Sequence, residues 1–409
     1  MRLRKYVILP ISLLLLPALL SFSAELTVPS LEMASTGTVQ NGTFSLSSVA
    51  QADIALTGGY KYGGLLRLAF SSRDLEKALG YGRTSLDLAS ADPVPAADYN
   101  ALVDRFNNLA ALQFKLAQVS ARKPFDLPVE LSYFIGFSDS FCSGDDFPQL
   151  FGSVPVNSEF KGFAYFPQGI GGNPAYQYNG IHQAIGTGFH LSLLAWQNFI
   201  PMVYLYQDSA FINESTGIPE SGRYSGDVRF LVNSQYVKFE AFAGATYPYG
   251  TYGMYRGGML AYFTTGTGAD FLAQAGIPGW ESGTDLKVDN LYFLFEPRLA
   301  IGIFALHITL FYHPVRYLQL LNPEERGATD INAKLLIGDI LKYRLQGGLE
   351  STVNLRSGAS VNTLDLRVSP FVSVITEGIR WDFKIRIDPF KYTKPLEMAD
   401  TFIGVRTAY

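Results

Sequence analysis

Hydrophobic and polar residues alternate in short segments along most of the chain. Residues 379–388 show this most clearly, because Ile379, Trp381, Phe383, Ile385 and Ile387 are separated from one another by charged residues. Successive side chains of a β-strand point to opposite faces, so this pattern predicts a strand with one apolar and one charged face. The same alternation recurs in about 17 segments between residues 43 and 409. The sequence therefore predicts an all-β fold.

The composition favours a transmembrane antiparallel β-barrel over a soluble β-protein. Charged residues make up 17% of the chain and aromatic residues 14%, whereas soluble domains average roughly 25% charged. After the N-terminal region the best apolar run is 299–311, which is shorter than the ~20 residues of a spanning helix. Single-chain bacterial barrels have even strand numbers, so we expect about 16 strands, within roughly 14 to 18. One of the 17 alternating segments is then expected not to be a strand.

The N-terminal region has the features of a secretory signal peptide. Residues 1–23 begin with Arg2, Arg4 and Lys5, continue through an apolar stretch and end in small residues. We expect residues 24–409 to form the mature barrel. Removing these three cations leaves 29 Lys and Arg against 36 Asp and Glu, so the mature formal charge is 29 − 36 = −7. This acidic balance argues against nucleic acid as a partner.

The last predicted strand, residues 400–409, ends on an aromatic residue. Together with the export signal and the many alternating segments, it resembles the C-terminal strand of bacterial outer-membrane β-barrels. Gly404 and Tyr409 fit that pattern, whereas Thr407 stands where a large apolar residue is usual. The resemblance implies a porin-like protein in the outer membrane of a diderm bacterium, surrounded by outer-membrane lipid. It also implies recognition of this strand by the barrel assembly machinery, and a homotrimer is a candidate assembly.

Two long connections interrupt the alternation, near residues 71–108 and 138–187. The first contains a candidate amphipathic helix at 98–107. The second is rich in Gly, Pro and aromatic residues and is the candidate constriction or plug of the lumen. It also contains Asp139, Asp145 and Asp146, which we weigh as a calcium site and interpret by default as a solvated loop.

The charged faces of the strands are predicted to line the lumen. The candidate lumen-lining residues are Arg67, Lys115, Glu130, Arg229, Arg344, Glu350, Asp365, Arg367, Arg380, Asp382, Lys384 and Arg386. A wall charged in both signs holds water, and a barrel of about 16 strands is wide enough for a channel. The functional hypothesis is passive diffusion of small polar solutes, without a cofactor. The alternative is that these charges are cross-strand ion pairs that fill a wet interior.

Two other barrel functions remain open. Transport of apolar molecules, as in the outer-membrane long-chain fatty-acid transporters, would need an N-terminal plug, for which residues 25–40 are the candidate. That family's asparagine-proline-alanine signature is not found there, and residues 173–175 spell it far from the N-terminus. A structural or adhesive barrel would instead act through its long loops.

An enzymatic function is not expected. His190 and Ser192 are two residues apart on one predicted strand, as in outer-membrane phospholipases. Asn198 would lie on the same strand, about 20 Å or more from His190, too far to orient the imidazole. The single cysteine, Cys142, lies in a Gly- and Asp-rich stretch that suggests an exposed loop. No metal or catalytic residues are therefore predicted.

Overall fold

The computed structural model describes residues 25–72, 110–154, 156–158, 180–209, 222–313, 325–358 and 362–408. Within these residues eighteen strands form one sheet, in which each strand pairs antiparallel with the next. The first strand, β1 (Glu25–Gln40), also pairs with the last, β18 (Ala399–Ala408), which closes the sheet into a barrel. The predicted all-β antiparallel barrel is confirmed, and its strand number is at the upper limit of the predicted range.

The other strands run around the barrel in chain order. They are β2 (Thr43–Gly58), β3 (Tyr62–Ser72), β4 (Ala110–Arg122), β5 (Val129–Phe141), β6 (His182–Leu193), β7 (Phe199–Asp208), β8 (Tyr224–Asn233), β9 (Val237–Tyr247), β10 (Met254–Thr264), β11 (Ala269–Glu281), β12 (Tyr292–Ile301), β13 (Phe304–His313), β14 (Glu325–Asp339), β15 (Leu345–Gly358), β16 (Asn362–Thr376) and β17 (Ile379–Ile387). Among the described residues, two short α-helices, α1 (Asp146–Phe151) and α2 (Ile340–Tyr343), lie between strands. In the described part of the chain, no helix is both long and apolar enough to cross a membrane.

The strand missed by the sequence analysis is β1. All the alternating segments overlap strands β2 to β18, so the expectation of a false segment was wrong, and residues 25–40 form a strand rather than a plug. Their alternation is weak because Ser35 and Gly37 occupy positions on the outer face of the barrel, opposite Ser48 and Leu46. Pro29 adds an irregularity in the register between Thr27 and Ser30.

The two faces of the strands have opposite character. On β13, Leu306, Ile308 and Leu310 are exposed on the outer face, whereas Thr309 between them is buried on the inner face. The closed ladder satisfies the backbone hydrogen-bonding groups of the strands, which a lipid environment requires. The outer surface is thus suited to lipid, as expected from the alternation.

The two ends of the barrel differ in the length of their connections. At one end the strands are joined by short turns, at residues 59–61, 123–128, 194–198, 234–236, 265–268, 302–303, 340–344 and 377–378. At the other end lie both long connections, residues 73–109 and 142–181. In outer-membrane barrels short turns face the periplasm and long loops face outward, so β1 begins and β18 ends on the periplasmic side. The candidate helix at 98–107 and the signal peptide at 1–23 lie outside the described residues.

Part of the barrel interior is a packed apolar core. Inward side chains of β4 to β13 form one buried cluster, which includes Phe134, Tyr204, Phe242, Leu260 and Leu272. Residues of the β5–β6 connection complete this cluster from inside the barrel, namely Cys142, Phe147, Val156 and Ile181. The interior is therefore divided between a packed region and the inner faces of the remaining strands.

Candidate functional site

The described residues of the β5–β6 connection lie against the inner face of the barrel wall. We call its described residues 142–154 and 156–158 the docked segment. The backbone N–H of Cys142 donates to Oε1 of Glu240 on β9 at 2.5 Å, and Nε2 of Gln274 on β11 donates to the Cys142 carbonyl at 2.9 Å. The N–H and the carbonyl of Cys142 are thus both held by side chains of the barrel wall, from β9 and β11.

The other end of the docked segment is held by β12. The hydroxyl of Ser158 donates to Glu296 Oε2, and Nη2 of Arg298 donates to the Asn157 carbonyl at 2.7 Å. Glu296 is itself bound by Arg298, whose Nη2 lies 2.5 Å from Oε1. The docked segment therefore crosses the inner face of the barrel from β9 to β12.

Close approach of the chain to the wall depends on two glycines. Gly258 on β10 and Gly276 on β11 are paired with each other, and Ile181, just before β6, packs over them. A Cβ at Gly258 would lie 2.7 Å from the Ile181 Cδ1 atom, and one at Gly276 would lie 3.0 Å from it. Larger residues at these positions would push Ile181 away from the wall.

A buried guanidinium links α1 to the barrel. Nη2 of Arg229 on β8 lies 2.6 Å from Oδ2 of Asp146, and its Nε lies 2.7 Å from Oε1 of Glu240. The same guanidinium lies 5.0 Å from the centre of the Phe141 ring. The Arg229 and Glu240 side chains are only 1% and 0% exposed, so this ion pair is shielded from water.

Burial also changes the acidity of the docked segment. Loss of hydration raises the pKa of Asp146 to about 6, and the carboxylates of Asp139 and Glu240 act in the same direction against the attraction of Arg229. Burial likewise raises the pKa of the Cys142 thiol, and Glu240 adds to the effect. The thiol is therefore protected from reaction as long as the segment is docked.

A second buried network lies between β7 and β10. Arg256 Nε and Nη2 donate to the two oxygens of Asp227 at 2.7 and 2.8 Å, and Nη1 donates to Thr246 Oγ1 at 2.6 Å. The Tyr206 hydroxyl donates to Asp227 Oδ2 at 3.0 Å. These groups stabilise the wall on which the docked segment rests.

The inner faces of β14 to β18, which we call the charged wall, carry both buried and partly accessible ion pairs. Lys384 Nζ lies 2.7 Å from Glu350 Oε2, and these side chains are only 3% and 6% exposed. Arg386 Nη2 lies 2.9 Å from Asp400 Oδ2 in a pair that remains partly accessible. Asp382 accepts from Arg380 Nε at 2.9 Å and from Arg406 Nη2 at 3.1 Å. The Arg380 and Arg386 side chains are 22% and 21% exposed.

The strand register places ten of the twelve predicted lumen residues on the inner face. These are Arg67, Glu130, Arg229, Glu350, Asp365, Arg367, Arg380, Asp382, Lys384 and Arg386. Arg367 pairs with Asp388, and Glu130 accepts from Arg122 Nε at 2.8 Å. Six of the ten lie together on β16 and β17, which the sequence had already suggested.

Two of the predicted lumen positions lie outside the regular strand register. Arg344 lies in the turn after α2, with a φ of 57°, and is exposed at the periplasmic end rather than on the wall. It precedes β15, which begins at Leu345, so the alternation of that strand does not extend to it. Lys115 falls at a bulge of β4, between the partners of Arg67 and Leu68, and is exposed.

The cysteine and the aspartates of the β5–β6 connection are also placed differently from expectation. Cys142 is completely buried rather than exposed. Asp146 pairs with Arg229, Asp145 accepts from Asn157 Nδ2 at 2.8 Å, and Asp139 accepts from the Ser138 hydroxyl at 2.8 Å. They therefore have separate partners, and over the described residues no group of His, Cys, Asp and Glu side chains is arranged to hold a metal ion.

The phospholipase-like pair exists but faces the lumen. His190 Nε2 and Ser192 Oγ are 2.8 Å apart, and the imidazole stacks on Tyr204 with ring centroids separated by 4.3 Å. Asn198 lies in the turn after β6 rather than on the strand. Ser192 is buried, so the pair is consistent with a packing role.

Sequence reasoning missed the residues that hold the docked segment. Gln274 lies on the inner face of β11, within the predicted strand 271–277. Glu296 and Arg298 lie on the inner face of β12, and extending the predicted strand 288–295 by three residues would have shown them. Their partners on the β5–β6 connection carry no comparable signal.

No known family model matches this sequence, and no curated protein matches it. Its fold does match solved structures of outer-membrane channels. Acinetobacter baumannii OccAB4 aligns with a TM-score of 0.51 at 10% identity, covering 93% of this chain and 96% of that one. OccAB2 of the same organism aligns with a TM-score of 0.49 at 13% identity, covering 95% and 98%. The outer membrane protein opdK of Pseudomonas aeruginosa aligns with a TM-score of 0.47 at 9% identity, covering 95% and 99%.

At this level of identity the OccAB4 likeness concerns the fold. The chain has a porin-like architecture, a closed antiparallel barrel with an apolar outer surface and charged inner faces. That architecture places it in the outer membrane, in contact with lipid.

Proposed function

We propose that this protein is a pore through which small polar solutes diffuse passively. The charged wall supports the proposal, because some of its ion pairs remain accessible to water. In the Arg386–Asp400 pair, the two side chains are 21% and 26% exposed. Charged side chains that retain water on the inner face of a barrel support a hydrated path. A barrel of 16 to 18 strands is wide enough for an aqueous channel.

The docked segment would narrow this path rather than fill it. It is anchored on β8, β9, β11 and β12, whereas the charged wall lies on β14 to β18. Solutes would therefore pass between the docked segment and the charged wall. A lining with both positive and negative side chains favours small hydrophilic solutes over apolar ones.

Swelling of liposomes that contain the purified protein tests this proposal. We expect swelling in small sugars, with a rate that falls as the sugar becomes larger, because the docked segment limits the width. Liposomes with heat-denatured protein are the control. Absence of swelling with a folded barrel would contradict the pore and favour an adhesive function through the long loops.

The alternative of a channel for apolar substrates has lost its main support. The proposed plug at residues 25–40 is strand β1 of the barrel wall, and residues 173–175 lie outside the described part of the chain. We therefore retain the polar pore as the single proposed function.

We propose that the chain is exported through its signal peptide and assembled through β18. This strand forms the closing seam with β1, in which Ala34 pairs with Gly404. A Cβ at Gly404 would lie 2.9 Å from the Phe402 ring, so the seam favours glycine there. Deleting residues 400–409 should abolish membrane assembly, which fractionation and resistance to proteolysis would measure; normal assembly would contradict the proposal.

We also propose that copies of the barrel associate, as a homotrimer, through the outer faces of β1, β2 and β18. This surface carries a group of small and hydroxylated residues beside exposed apolar ones such as Leu31, Met33, Phe44 and Leu46. The group comprises Ser35, Gly37, Ser48, Ala50 and Thr401. Ser35 and Ser48 form a hydroxyl pair at 2.8 Å. Small and hydroxylated side chains allow close contact between two barrel walls.

Light scattering in mild detergent tests this association. Ser48→Leu should convert the oligomer to monomers, whereas Ala273→Leu on the outer face of β11 should not. A monomer in the unchanged protein would exclude the association.

A further inference from the structure

We propose that the docked segment is a pH-sensitive latch, which protonation of Asp146 holds more tightly against the barrel wall and deprotonation weakens. The consequence for permeation rests on the proposed pore function, but the latch itself does not. In acid the segment would stay docked and keep the lumen narrow, and towards neutral pH it would leave the wall more often.

The acidic side chains around α1 outnumber the basic ones. Asp146 of the docked segment, Glu240 of β9 and Asp139 of β5 all face the single guanidinium of Arg229 on β8. If all ionise, three negative charges surround one positive charge. Arg229 can neutralise only one of them.

No other neighbour supplies a fixed positive charge. The remaining groups that face this cluster are Tyr204 of β7, which interacts with both Asp139 and Arg229, His190 of β6, which lies near Asp139, and the Cys142 thiol. Tyrosine and cysteine are neutral at ordinary pH. His190 stacks on Tyr204, and its charged neighbours are Asp139, Arg229 and Glu130. The excess negative charge is therefore relieved by a proton.

Glu240, the residue of the barrel wall that binds Cys142 of the docked segment, is shielded from water. Glu240 is completely buried, and its Oε1 accepts from both Arg229 and Cys142. Its Oε2 has no hydrogen-bond partner within the described residues. A second ionised carboxylate close to this uncompensated oxygen raises the energy of the docked state.

The acidity of Asp146 sets the direction and the pH range of the change in the docking equilibrium. The pKa of Asp146 is raised to about 6 in the docked segment, against an ordinary value of 3.8 in water. A group whose pKa is raised in the docked state favours docking below the ordinary value, and this contribution is lost as the pH rises through the raised value. The difference of 6 − 3.8 = 2.2 pH units corresponds to a change of up to about 150-fold in the docking equilibrium.

Cys142 provides a built-in probe of this equilibrium. It is the only cysteine of the chain and is completely buried in the docked segment. Its rate of modification by 2,2′-dipyridyl disulfide, which reacts with thiols in acid as well as in neutral solution, should report undocking. The rate is normalised to that of the unfolded chain at the same pH, which removes the intrinsic pH dependence of the thiol.

The test compares the wild type with Asp146→Asn, which is neutral at every pH, and with Asp285→Asn. Asp285 lies exposed in the β11–β12 connection, so its variant loses the same charge without altering the cluster. We expect the wild-type rate to rise between about pH 4 and pH 6 and to exceed that of Asp146→Asn by up to about 100-fold at neutral pH. Asp285→Asn should follow the wild type.

Three results would overturn the latch. They are a normalised wild-type rate that is flat or falls over this range, a faster rate in Asp146→Asn than in the wild type at neutral pH, and an Asp285→Asn profile equal to that of Asp146→Asn. The second would mean that the Asp146–Arg229 ion pair, not the proton, holds the segment. The wild-type profile alone decides the question if Asp146→Asn fails to fold.

Conductance separates the latch from the pore function. An open pore should conduct less as the pH falls from about 6 to 4. A barrel that is silent at every pH, while Cys142 labelling follows the predicted profile, would remove the pore function and leave the latch intact.

Discussion

The interior of the barrel contains two regions that use the same residue types for different purposes. Under the docked segment, Arg229 and Glu240 are shielded from water and surrounded by aromatic side chains. On the charged wall, Arg380 and Asp382 form an equally close pair, but the guanidinium remains partly accessible. Buried charges hold the docked segment in position. Accessible charges keep water and ions along the lumen.

This difference should appear as a difference in energy. Removing one partner of a buried ion pair leaves an uncompensated charge out of water, which costs about 3–5 kcal/mol. An accessible pair is screened by water and salt and contributes about 0–1 kcal/mol. Substitutions in the two regions should therefore separate stability from selectivity.

The largest effect is expected for Arg229→Met. Asp146 and Glu240 would lose their common cation, so the free energy of unfolding should fall by about 3–5 kcal/mol and Cys142 should become reactive. Thermal unfolding in detergent and thiol labelling measure the two changes. Arg386→Met on the charged wall is the matched control, with an expected loss of less than about 1 kcal/mol. Equal losses in both variants would remove the distinction between the regions.

Phe147→Ala should have a comparable or slightly smaller effect, confined to the docked segment. Phe147 is completely buried and packs against Phe151, with ring centroids 5.8 Å apart. Truncating it should weaken docking by about 3 kcal/mol, because a cavity replaces the ring. Cys142 labelling should accelerate and conductance should rise. Leu150→Ala, on the exposed side of α1, is the control, and an equal response there would argue against specific packing.

On the charged wall, Lys384→Met should change both stability and ion preference, because the Lys384 and Glu350 side chains are only 3% and 6% exposed. Its loss leaves the Glu350 carboxylate without the ammonium at 2.7 Å, although Asn332 Nδ2 still donates to Glu350 at 2.8 Å. We expect a shift of the reversal potential towards cation selectivity and a loss of stability of about 1–3 kcal/mol. Glu350→Gln should shift the potential in the opposite direction. Unchanged potentials in both variants would place the pair away from the conduction path.

The smallest effect is expected for Asp400→Asn. Asp400 and Arg386 are both partly accessible, so stability should change by less than about 1 kcal/mol. The reversal potential should move slightly towards anion selectivity, and the shift should shrink at high salt because accessible charges are screened. A large loss of stability would show that this pair is more important to the wall than its exposure indicates.

The strands were predictable where their outer faces are uniformly apolar. Segments such as β13 and β17 alternate because lipid and lumen impose opposite requirements on successive residues. Strand β1 was not, because Ser35 and Gly37 on its outer face hide the alternation. Arg344 was assigned to the wall because the predicted strand was extended into the α2 turn, whereas β15 begins at Leu345.

The docked segment was predictable only in outline. Its Gly- and aromatic-rich composition indicated a constriction or plug, but its anchors join residues far apart in sequence. Cys142 and Glu240 are 98 positions apart, and Ser158 and Glu296 are 138 apart. Alternation is a local property, so it indicates which residues face inward but not which loop residues they meet. For the same reason, Cys142 was expected to be exposed.

The most direct test of the account is the conductance of the folded, mature protein in a planar lipid bilayer. We predict stepwise currents in salt solution, carried along the charged wall, whose ion preference changes with Lys384→Met while the barrel stays intact. A correctly folded barrel that gives no current under any condition would contradict the central claim that the charged wall lines an aqueous pore.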